Sequence, residues 1–216
     1  MRSALIITGP SGVGKTTVAT ELLSQCSGFE FVRSATTRQK RGDAYDSEYI
    51  YLTNEEFKAM ISSDGLLEYM EYGGQMYGTP RSEIDRIFSI GKIPLLILDI
   101  NGVKSIRSTD LGFKSIIFYI YDDVNVIEQR LYDRYLKDSP TADKFFAFLS
   151  RKNSNRRDYS ELPNIATLFD AFFKNVTVND TATAICNTFF SVFDGKNPVD
   201  PKENMRIAEE LKNSVV

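Results

Sequence analysis

The sequence predicts an α/β fold of three layers, with helices on both faces of a central parallel sheet and a small inserted lobe of mixed β structure. Short apolar runs alternate with segments of helical spacing, which is typical of right-handed βαβ units. The runs Ile93–Leu98 and Ser115–Tyr121 are almost wholly apolar, as central parallel strands covered on both faces are. Residues 33–78 break the alternation because they are rich in Tyr, Gly and Arg, and we expect them to form the lobe.

Before the lobe, two predicted strands flank a helix. Ala4–Thr8 is a short apolar run that Gly9 ends, and it has the length of a buried strand. Lys15–Gln25 places its apolar residues on one face and is predicted to be a helix. Phe29–Ala35 is predicted to be the second strand.

Two helices in and after the lobe are indicated by the residues that begin them. Thr53–Glu56 has the spacing of a capping box. Thr79 and Pro80 place a cap residue before a proline at the first helical position, and Gly91 ends that helix.

After the two central strands the alternation resumes. A helix is expected from about Asp123, then a short strand at Asn175–Val178 and a Thr-capped helix through Phe189. The amphipathic stretch Lys202–Lys212 is expected to be either a peripheral helix or a frayed tail.

The composition excludes several classes of protein. Of 216 residues, 42% are hydrophobic and 25% are charged, which argues against a disordered or collagen-like chain. No run approaches the roughly 20 apolar residues of a membrane span, and no secretory leader is expected. The net charge of -3 gives no basic field for nucleic acid, so phosphate binding must come from local clusters.

The chain contains no histidine, which excludes His-based triads and His metal sites. With only Cys26 and Cys186 present, a four-thiolate zinc site is excluded as well. We expect both cysteines to be reduced thiols in a cytoplasmic protein.

Residues 9–16 fit the phosphate-loop pattern G-x-x-x-x-G-K-[ST], between a predicted strand and a predicted helix. Successive backbone N–H groups of such a loop cradle phosphate, and the following helix adds its N-terminal dipole. Lys15 would reach the β- and γ-phosphates, and the Thr16 hydroxyl would bind Mg²⁺. The predicted ATP-binding residues of the loop are Gly9, Ser11, Gly12, Val13, Gly14, Lys15, Thr16 and Thr17.

A phosphate loop alone does not separate kinases from GTPases. Asp99 and Gly102 match the D-x-x-G pattern of GTPases, and Asp99 could also be a magnesium carboxylate. GTPases read guanine with N-K-x-D, however, and the chain contains no Asn-Lys pair. The GTPase interpretation is therefore disfavoured.

The lobe begins with a basic segment. Residues 33–41 contain Arg33, Arg38, Lys40 and Arg41, and no acid lies within 34–41. Arginines three apart beside hydroxyls suit a second phosphate, because guanidinium groups bind phosphate oxygens in pairs.

Further motifs complete a series that resembles guanylate kinase over about residues 4–193. After the phosphate loop come S-x-T-T-R-x-x-R at 34–41, Leu67-Glu68, Tyr77-Gly78-Thr79, Leu98 to Gly102 and Val178-Asn179-Asp180. The resemblance implies transfer of the γ-phosphoryl group of ATP to GMP, and to dGMP, with Mg²⁺. It implies a monomer or homodimer that binds no nucleic acid or membrane.

The resemblance also implies roles for single residues. Those that resemble the GMP-binding residues are Ser34, Arg38, Arg41, Tyr49, Glu68, Tyr77, Thr79 and Asp99. Arg134 and Arg151, in a segment with a local charge of +4, resemble the arginines of a lid over ATP. With Lys15 they are the predicted catalytic residues, and Asn179 resembles the residue near adenine.

The implied organisation is a core of residues 1–32 and 80–193, with a lid at about 133–157. Residues 33–79 would form the GMP-binding lobe, and 194–216 a C-terminal tail or peripheral helix.

The chain departs from the family pattern in places. Asp43 stands where Glu is usual, Ile97 replaces the first aspartate of a D-x-D-x-Q-G segment, and Asn101 replaces its glutamine. In the lid, Arg134–Leu136 replaces the usual R-G-T/S.

Two alternatives remain open. One is a kinase of another nucleoside monophosphate on the same fold, and the other is a catalytically silent interaction module. The intact Lys15 and Thr16 argue against the silent module.

Overall fold

The computed structural model describes residues 2–40, 42, 46, 49–196 and 199–215. Strands and helices alternate along this part of the chain. In order they are β1 (Ser3–Thr8), α1 (Lys15–Gln25), β2 (Phe29–Phe31), β3 (Ser34–Thr36), β4 (Tyr49–Tyr51), α2 (Asn54–Ser62), β5 (Leu66–Tyr72), β6 (Gln75–Pro80), α3 (Arg81–Ser89), β7 (Ile93–Ile97), α4 (Ile100–Ser108), β8 (Lys114–Tyr121), α5 (Val124–Tyr135), α6 (Ala142–Ile165), β9 (Ala171–Lys174), α7 (Val178–Phe193) and α8 (Pro201–Asn213).

The central sheet has the strand order β2-β7-β1-β8-β9, and its described pairings are all parallel. All six residues of β1 are buried, as expected for a strand between two layers of helices. The predicted α/β class with a central parallel sheet is confirmed. Since β1 and β7 are neighbours, the segments that follow Thr8 and Ile97 leave the sheet side by side.

The inserted lobe is a second, mixed sheet of order β4-β3-β6-β5. β3 runs parallel to β4 and antiparallel to β6, and β5 and β6 form a hairpin. Ala35, Phe57 and Leu66 form a small core of its own between this sheet and α2. The prediction of a mixed-β lobe is confirmed.

The prediction of one strand over Phe29–Ala35 is wrong. Val32 makes the last bond to the central sheet, donating its N–H to Leu95 O at 2.9 Å. The chain then crosses to the lobe, where Ala35 pairs with Gly78. The crossing falls at Arg33 and Ser34, where the apolar residues end and the basic segment begins.

The helix starts were predicted with mixed success. The capping box is confirmed, since Thr53 Oγ1 accepts from Glu56 N–H and Glu56 Oε2 accepts from Thr53 N–H. Thr79 is not a cap and Pro80 is not at the first helical position, because both lie in β6 and α3 begins at Arg81. The Thr79 hydroxyl bonds a side chain of the lobe instead.

The later segments hold two further differences. The short strand is β9, and the predicted Asn175–Val178 lies just after it, where Thr177 caps α7. α4 was missed; Asp99 caps it by accepting the N–H of Gly102 at 2.8 Å.

Cys26 and Cys186 form a disulfide, with Cα atoms 7.0 Å apart. The expectation of two reduced thiols is therefore wrong. Cys26 ends α1, and Cys186 lies in α7, which packs against α1. Residues 160 apart in sequence become neighbours through helix packing, for which the sequence carries no local signal.

The C-terminal stretch is a peripheral helix rather than a frayed tail. α8 packs on α6 and buries Asn204, Ile207, Ala208 and Leu211. Within the described residues, no helix has both the length and the apolar character to cross a membrane.

Candidate active site

The loop between β1 and α1 has a backbone that requires glycine at its two ends. Gly9 has φ 147°, and a Cβ there would lie 2.1 Å from the carbonyl oxygen of Ile120. Gly14 has φ 98° and is the N-cap of α1. The first N–H groups of α1 have no carbonyl within the helix, and together with the helix dipole they favour an anion.

Lys15 folds back over this loop. Its ammonium donates to the carbonyls of Gly9 at 2.8 Å and Pro10 at 3.0 Å. Burial, together with the nearby charges of Arg151 and, more weakly, Arg134, lowers the pKa of Lys15 to about 8. The structure thus brings the three predicted catalytic residues into one electrostatic group.

Asp158 belongs to the same group, and sequence reasoning missed it. Its charge and that of Asp99 raise the pKa of Lys15. Burial, followed by the charge of Asp99, raises the pKa of Asp158 to about 6. The site therefore contains an acid from α6, whereas Ile97 stands on β7 where the resemblance implies an acid. Its position seven residues after Arg151, on the same helix face, was the available signal.

Three side chains hold the loop from behind, and none of them was predicted. Asn155 bonds the backbone of Ser11. The carbonyl of Val13 accepts from Asn175 Nδ2 at 2.7 Å and from Arg130 Nη1 at 3.3 Å. The N–H of Ser11 donates to Asn155, so Ser11 is the point at which α6 is bonded to the loop.

The remaining predicted ATP residues lie in different places. Thr17 is exposed. Thr16 lines an open cavity of about 560 Å³ between α1, β2 and α3. Asn179 does not join the loop, since its Oδ1 accepts from Gln25 Nε2 at 3.0 Å, at the far end of α1.

The lobe gathers a cation and two tyrosines. Ser34 and Tyr49 are partners in the β3–β4 register. The guanidinium of Arg38, only 9% exposed, lies 4.7 Å from the ring centre of Tyr49, and the rings of Tyr49 and Tyr77 are 6.5 Å apart. Arg38 also pairs with Asp46 at 3.3 Å. We call Ser34, Arg38, Tyr49 and Tyr77 the lobe cluster.

Of the other two arginines of the basic segment, only Arg33 has a described position. Arg41 lies outside the described residues. Arg33 donates to both carboxylate oxygens of Glu83, at 2.8 and 3.1 Å, and these bonds hold the pKa of Glu83 at about 2.

Glu68, Thr79 and Asp99 meet where the lobe touches α4. Thr79 Oγ1 donates to Glu68 Oε1 at 2.7 Å. A Cβ on Gly102 would lie 3.4 Å from Asp99 Oδ1 and 3.6 Å from Glu68 Oε2, so the glycine leaves the space between the two acids open. Burial raises the pKa of Glu68, the Thr79 hydrogen bond opposes this rise, and the charge of Asp99 adds to it. We call these three residues the acidic pocket.

The chain is similar to known guanylate kinases. The family model for guanylate kinase matches residues 1–191. A guanylate kinase of Lactobacillus johnsonii is 36% identical over 213 residues, 98% of this chain and 95% of the relative. One of Synechocystis sp. is 40% identical over 139 residues, 64% of this chain and 72% of the relative. The crystal structure of guanylate kinase from Anaplasma phagocytophilum shares the fold, with TM-score 0.62 at 20% identity over 88% of this chain and 85% of that chain.

Proposed function

Since the chain belongs to the guanylate kinase family, we propose that it transfers the γ-phosphoryl group of ATP to GMP, giving ADP and GDP. We extend the proposal to dGMP, as the resemblance to the family implies. The observation that carries the proposal is the acidic pocket beside the phosphate loop. Asp99 follows β7 and the loop follows β1, and these neighbouring strands place both at one edge of the sheet.

We assign the ATP phosphates to the loop and to the cations around it. The N–H groups that begin α1 bind phosphate oxygens, and phosphate replaces the carbonyls of Gly9 and Pro10 as the partner of Lys15. Arg151 and Arg134 neutralise charge on the transferred group.

We assign the GMP phosphate to the lobe cluster. The oxygens of the GMP phosphate would compete with Asp46 for the guanidinium of Arg38. A guanidinium can form two parallel hydrogen bonds with a phosphate. The hydroxyls of Ser34, Tyr49 and Tyr77 supply further donors. Arg41 stays a prediction, because it lies outside the described residues.

We assign the guanine base to the acidic pocket. Guanine presents N–H donors at N1 and N2, and a carboxylate such as Glu68 accepts from both. Adenine has an unprotonated N1, which would face that carboxylate and leave both groups without a hydrogen. An unsatisfied buried polar group costs about 1–3 kcal/mol, and more when it is charged.

The reaction then needs no covalent nucleophile. An oxygen of the GMP phosphate attacks the γ-phosphorus in line, a new P–O bond forms, and the bond to the β-γ bridging oxygen breaks to release ADP. The protein contributes positioning and charge neutralisation, for which Lys15 and the lid arginines suffice.

We propose Thr16 as the protein ligand for the Mg²⁺ that accompanies ATP. Mg²⁺ is commonly held by one or two side chains together with substrate phosphates. Thr16 fits this mode, because its hydroxyl is an oxygen ligand in the first turn of α1, directly after Lys15. When bound, Mg²⁺ supplies positive charge at the β- and γ-phosphates.

The cytoplasmic location stays a prediction. The Cys26–Cys186 disulfide argues against this location, because disulfides are uncommon in reducing compartments.

A panel of monophosphates tests the proposed function. Purified protein is incubated with ATP, Mg²⁺ and GMP, dGMP, AMP, CMP or UMP, and ADP release is followed while the products are separated by chromatography. We expect GDP to form with GMP, dGDP to form with dGMP, and little ADP to form with the other three.

The matched control is Lys15→Ala, which should abolish transfer while the circular dichroism spectrum stays that of the wild type. ADP release that ignores the added monophosphate, or full activity of Lys15→Ala, would contradict the proposal.

A further inference from the structure

One polar residue lies on the buried face of α6. Asn155, Tyr159, Leu162 and Ile165 follow each other at helical spacing, and Asn155 is only 7% exposed. A buried amide destabilises the fold unless its donor and acceptor atoms are bonded. Asn155 therefore needs a hydrogen-bond partner, which an apolar residue at this position could not bond.

That partner is the backbone of the phosphate loop. Asn155 Oδ1 accepts the N–H of Ser11 at 2.8 Å, and Asn155 Nδ2 donates to the carbonyl of Ser11 at 2.9 Å. Two hydrogen bonds between the same two residues fix orientation as well as distance. α6 is thus held to a point inside the loop, 144 residues earlier in the chain.

Two charged residues on the same helix face flank Asn155. Arg151 precedes it by four residues and Asp158 follows it by three, so the three side chains form a stripe. The charges of both Arg151 and Asp158 act on the ammonium of Lys15. The stripe therefore lies along the loop, and Asn155 is its residue that is hydrogen-bonded to the loop.

We propose that Asn155 is a positioning residue for phosphoryl transfer, which holds α6 in register with the phosphate loop so that Arg151 reaches the transferred group. This inference rests on the proposed function. Misplacing a catalytic group by about 1 Å can lower the rate roughly 100-fold, so the register matters for rate.

Two substitutions test the role. Asn155→Ala removes both hydrogen bonds. Asn155→Asp has nearly the same shape and still accepts from the Ser11 N–H, but it presents an oxygen in place of the donor to the Ser11 carbonyl.

Two controls separate position from charge and from packing. Asn153→Asp makes the same change at an exposed position of the same helix. Tyr159→Phe removes the hydrogen bond of α6 to the backbone of Asp122, away from the loop.

Three measurements are made on all variants at 25 °C. Steady-state kinetics gives kcat and KM for ATP and GMP, thermal unfolding gives Tm, and amide hydrogen exchange by NMR reports the Ser11 N–H. We expect both Asn155 variants to lose roughly 10–100-fold in kcat, with the KM for GMP within about twofold of the wild type. Exchange at Ser11 should quicken in Asn155→Ala, and both control variants should keep the wild-type kcat.

Other outcomes overturn the inference. A lowered Tm with an unchanged kcat in both Asn155 variants would show a structural role only, and so would failure of both to fold. Unchanged protection of Ser11 in Asn155→Ala would show that the bond does not hold the loop. If the wild type transferred nothing to GMP, the proposed function would fail instead, and Ser11 exchange together with binding of a non-hydrolysable ATP analogue would still decide whether Asn155 holds the loop.

Discussion

At the scale of single residues, the surroundings of Lys15 and Asp158 set their charge. Burial and neighbouring arginines lower the pKa of Lys15 to about 8, while burial and Asp99 raise the pKa of Asp158 to about 6. Each shift predicts a pH dependence.

Lys15 predicts an alkaline limit to ATP capture. Its ammonium loses its proton as the pH rises through about 8 in the free protein, so kcat/KM for ATP should fall about tenfold per pH unit above that value. The phosphates of bound ATP favour the ammonium, and kcat should therefore hold to a higher pH.

Steady-state kinetics from pH 6.5 to 10 checks this prediction, with Lys15→Arg as the matched control. A guanidinium keeps its proton throughout this range, so kcat/KM for ATP of the variant should not fall above pH 8. A fall at the same pH in both proteins would show that another group titrates.

Asp158 predicts a cost in stability at neutral pH. Its carboxyl binds a proton more tightly in the folded chain, at about 6, than in the unfolded chain, at 3.8. The folded state therefore loses stability as the pH rises from about 4 to about 6, and the loss persists at higher pH. Asp158→Asn should be more stable than the wild type at pH 7.5 by about 1–2 kcal/mol, allowing for partial solvent screening.

Urea unfolding at pH 4.0 and pH 7.5 measures the effect. The advantage of Asp158→Asn should shrink at pH 4.0, where the wild-type carboxyl is protonated in the fold. An advantage of equal size at both values would contradict the assigned pKa.

At the scale of elements, the sequence predicts best where one periodicity runs without interruption. β1, α1 and β8 are continuous patterns with a single burial requirement, and they lie within a residue or so of their predicted bounds. β2 and β3 lie within one predicted strand but pair in different sheets, and this difference in pairing separates them. For the same reason the Cys26–Cys186 pairing has no local signal.

The same limit applies to the site. The phosphate loop and the acidic pocket are short motifs of recognisable chemistry, and the residues of each lie together in the structure. Asn155 and Asn175 act through backbone atoms of the loop, which leave no mark in the sequence of the loop itself.

The disulfide predicts that α1 and α7 depend on each other. A crosslink between residues 160 apart restricts the unfolded chain, and its removal should cost about 2–5 kcal/mol of unfolding free energy. The variant is Cys26→Ser combined with Cys186→Ser, which leaves no single thiol to react.

Denaturant unfolding with and without dithiothreitol measures the loss. Reductant should destabilise the wild type and leave the double variant unchanged. Two results together would show that the bond is not formed: the stability of the wild type does not change with reductant, and both cysteines can be alkylated before reduction.

At the scale of the whole molecule, the cations of the proposed phosphate sites lie on separate parts of the chain. Arg38 lies in the lobe, Arg134 and Arg151 in the predicted lid, and Lys15 in the loop. These positive charges repel one another. Bound phosphates would neutralise the repulsion and draw the lobe and the lid together, and the closed site would exclude water as an acceptor of the phosphoryl group.

Small-angle scattering checks closure. A compact chain of 216 residues has a radius of gyration of about 17 Å. The radius should decrease when GMP and a non-hydrolysable ATP analogue are both present, and by less with either alone. A radius that stays constant across all four conditions would contradict closure.

The central claim is that this chain phosphorylates GMP because the acidic pocket reads guanine, and base selectivity tests it most directly. The measurement is kcat/KM for GMP, IMP and AMP with the wild type and with Glu68→Gln. The wild type should prefer GMP over AMP by roughly 10⁴-fold, with IMP between them because it keeps N1–H but lacks the 2-amino group. Glu68→Gln should lose most of that preference. Equal use of AMP and GMP by the wild type, or an unchanged ratio in Glu68→Gln, would contradict the claim.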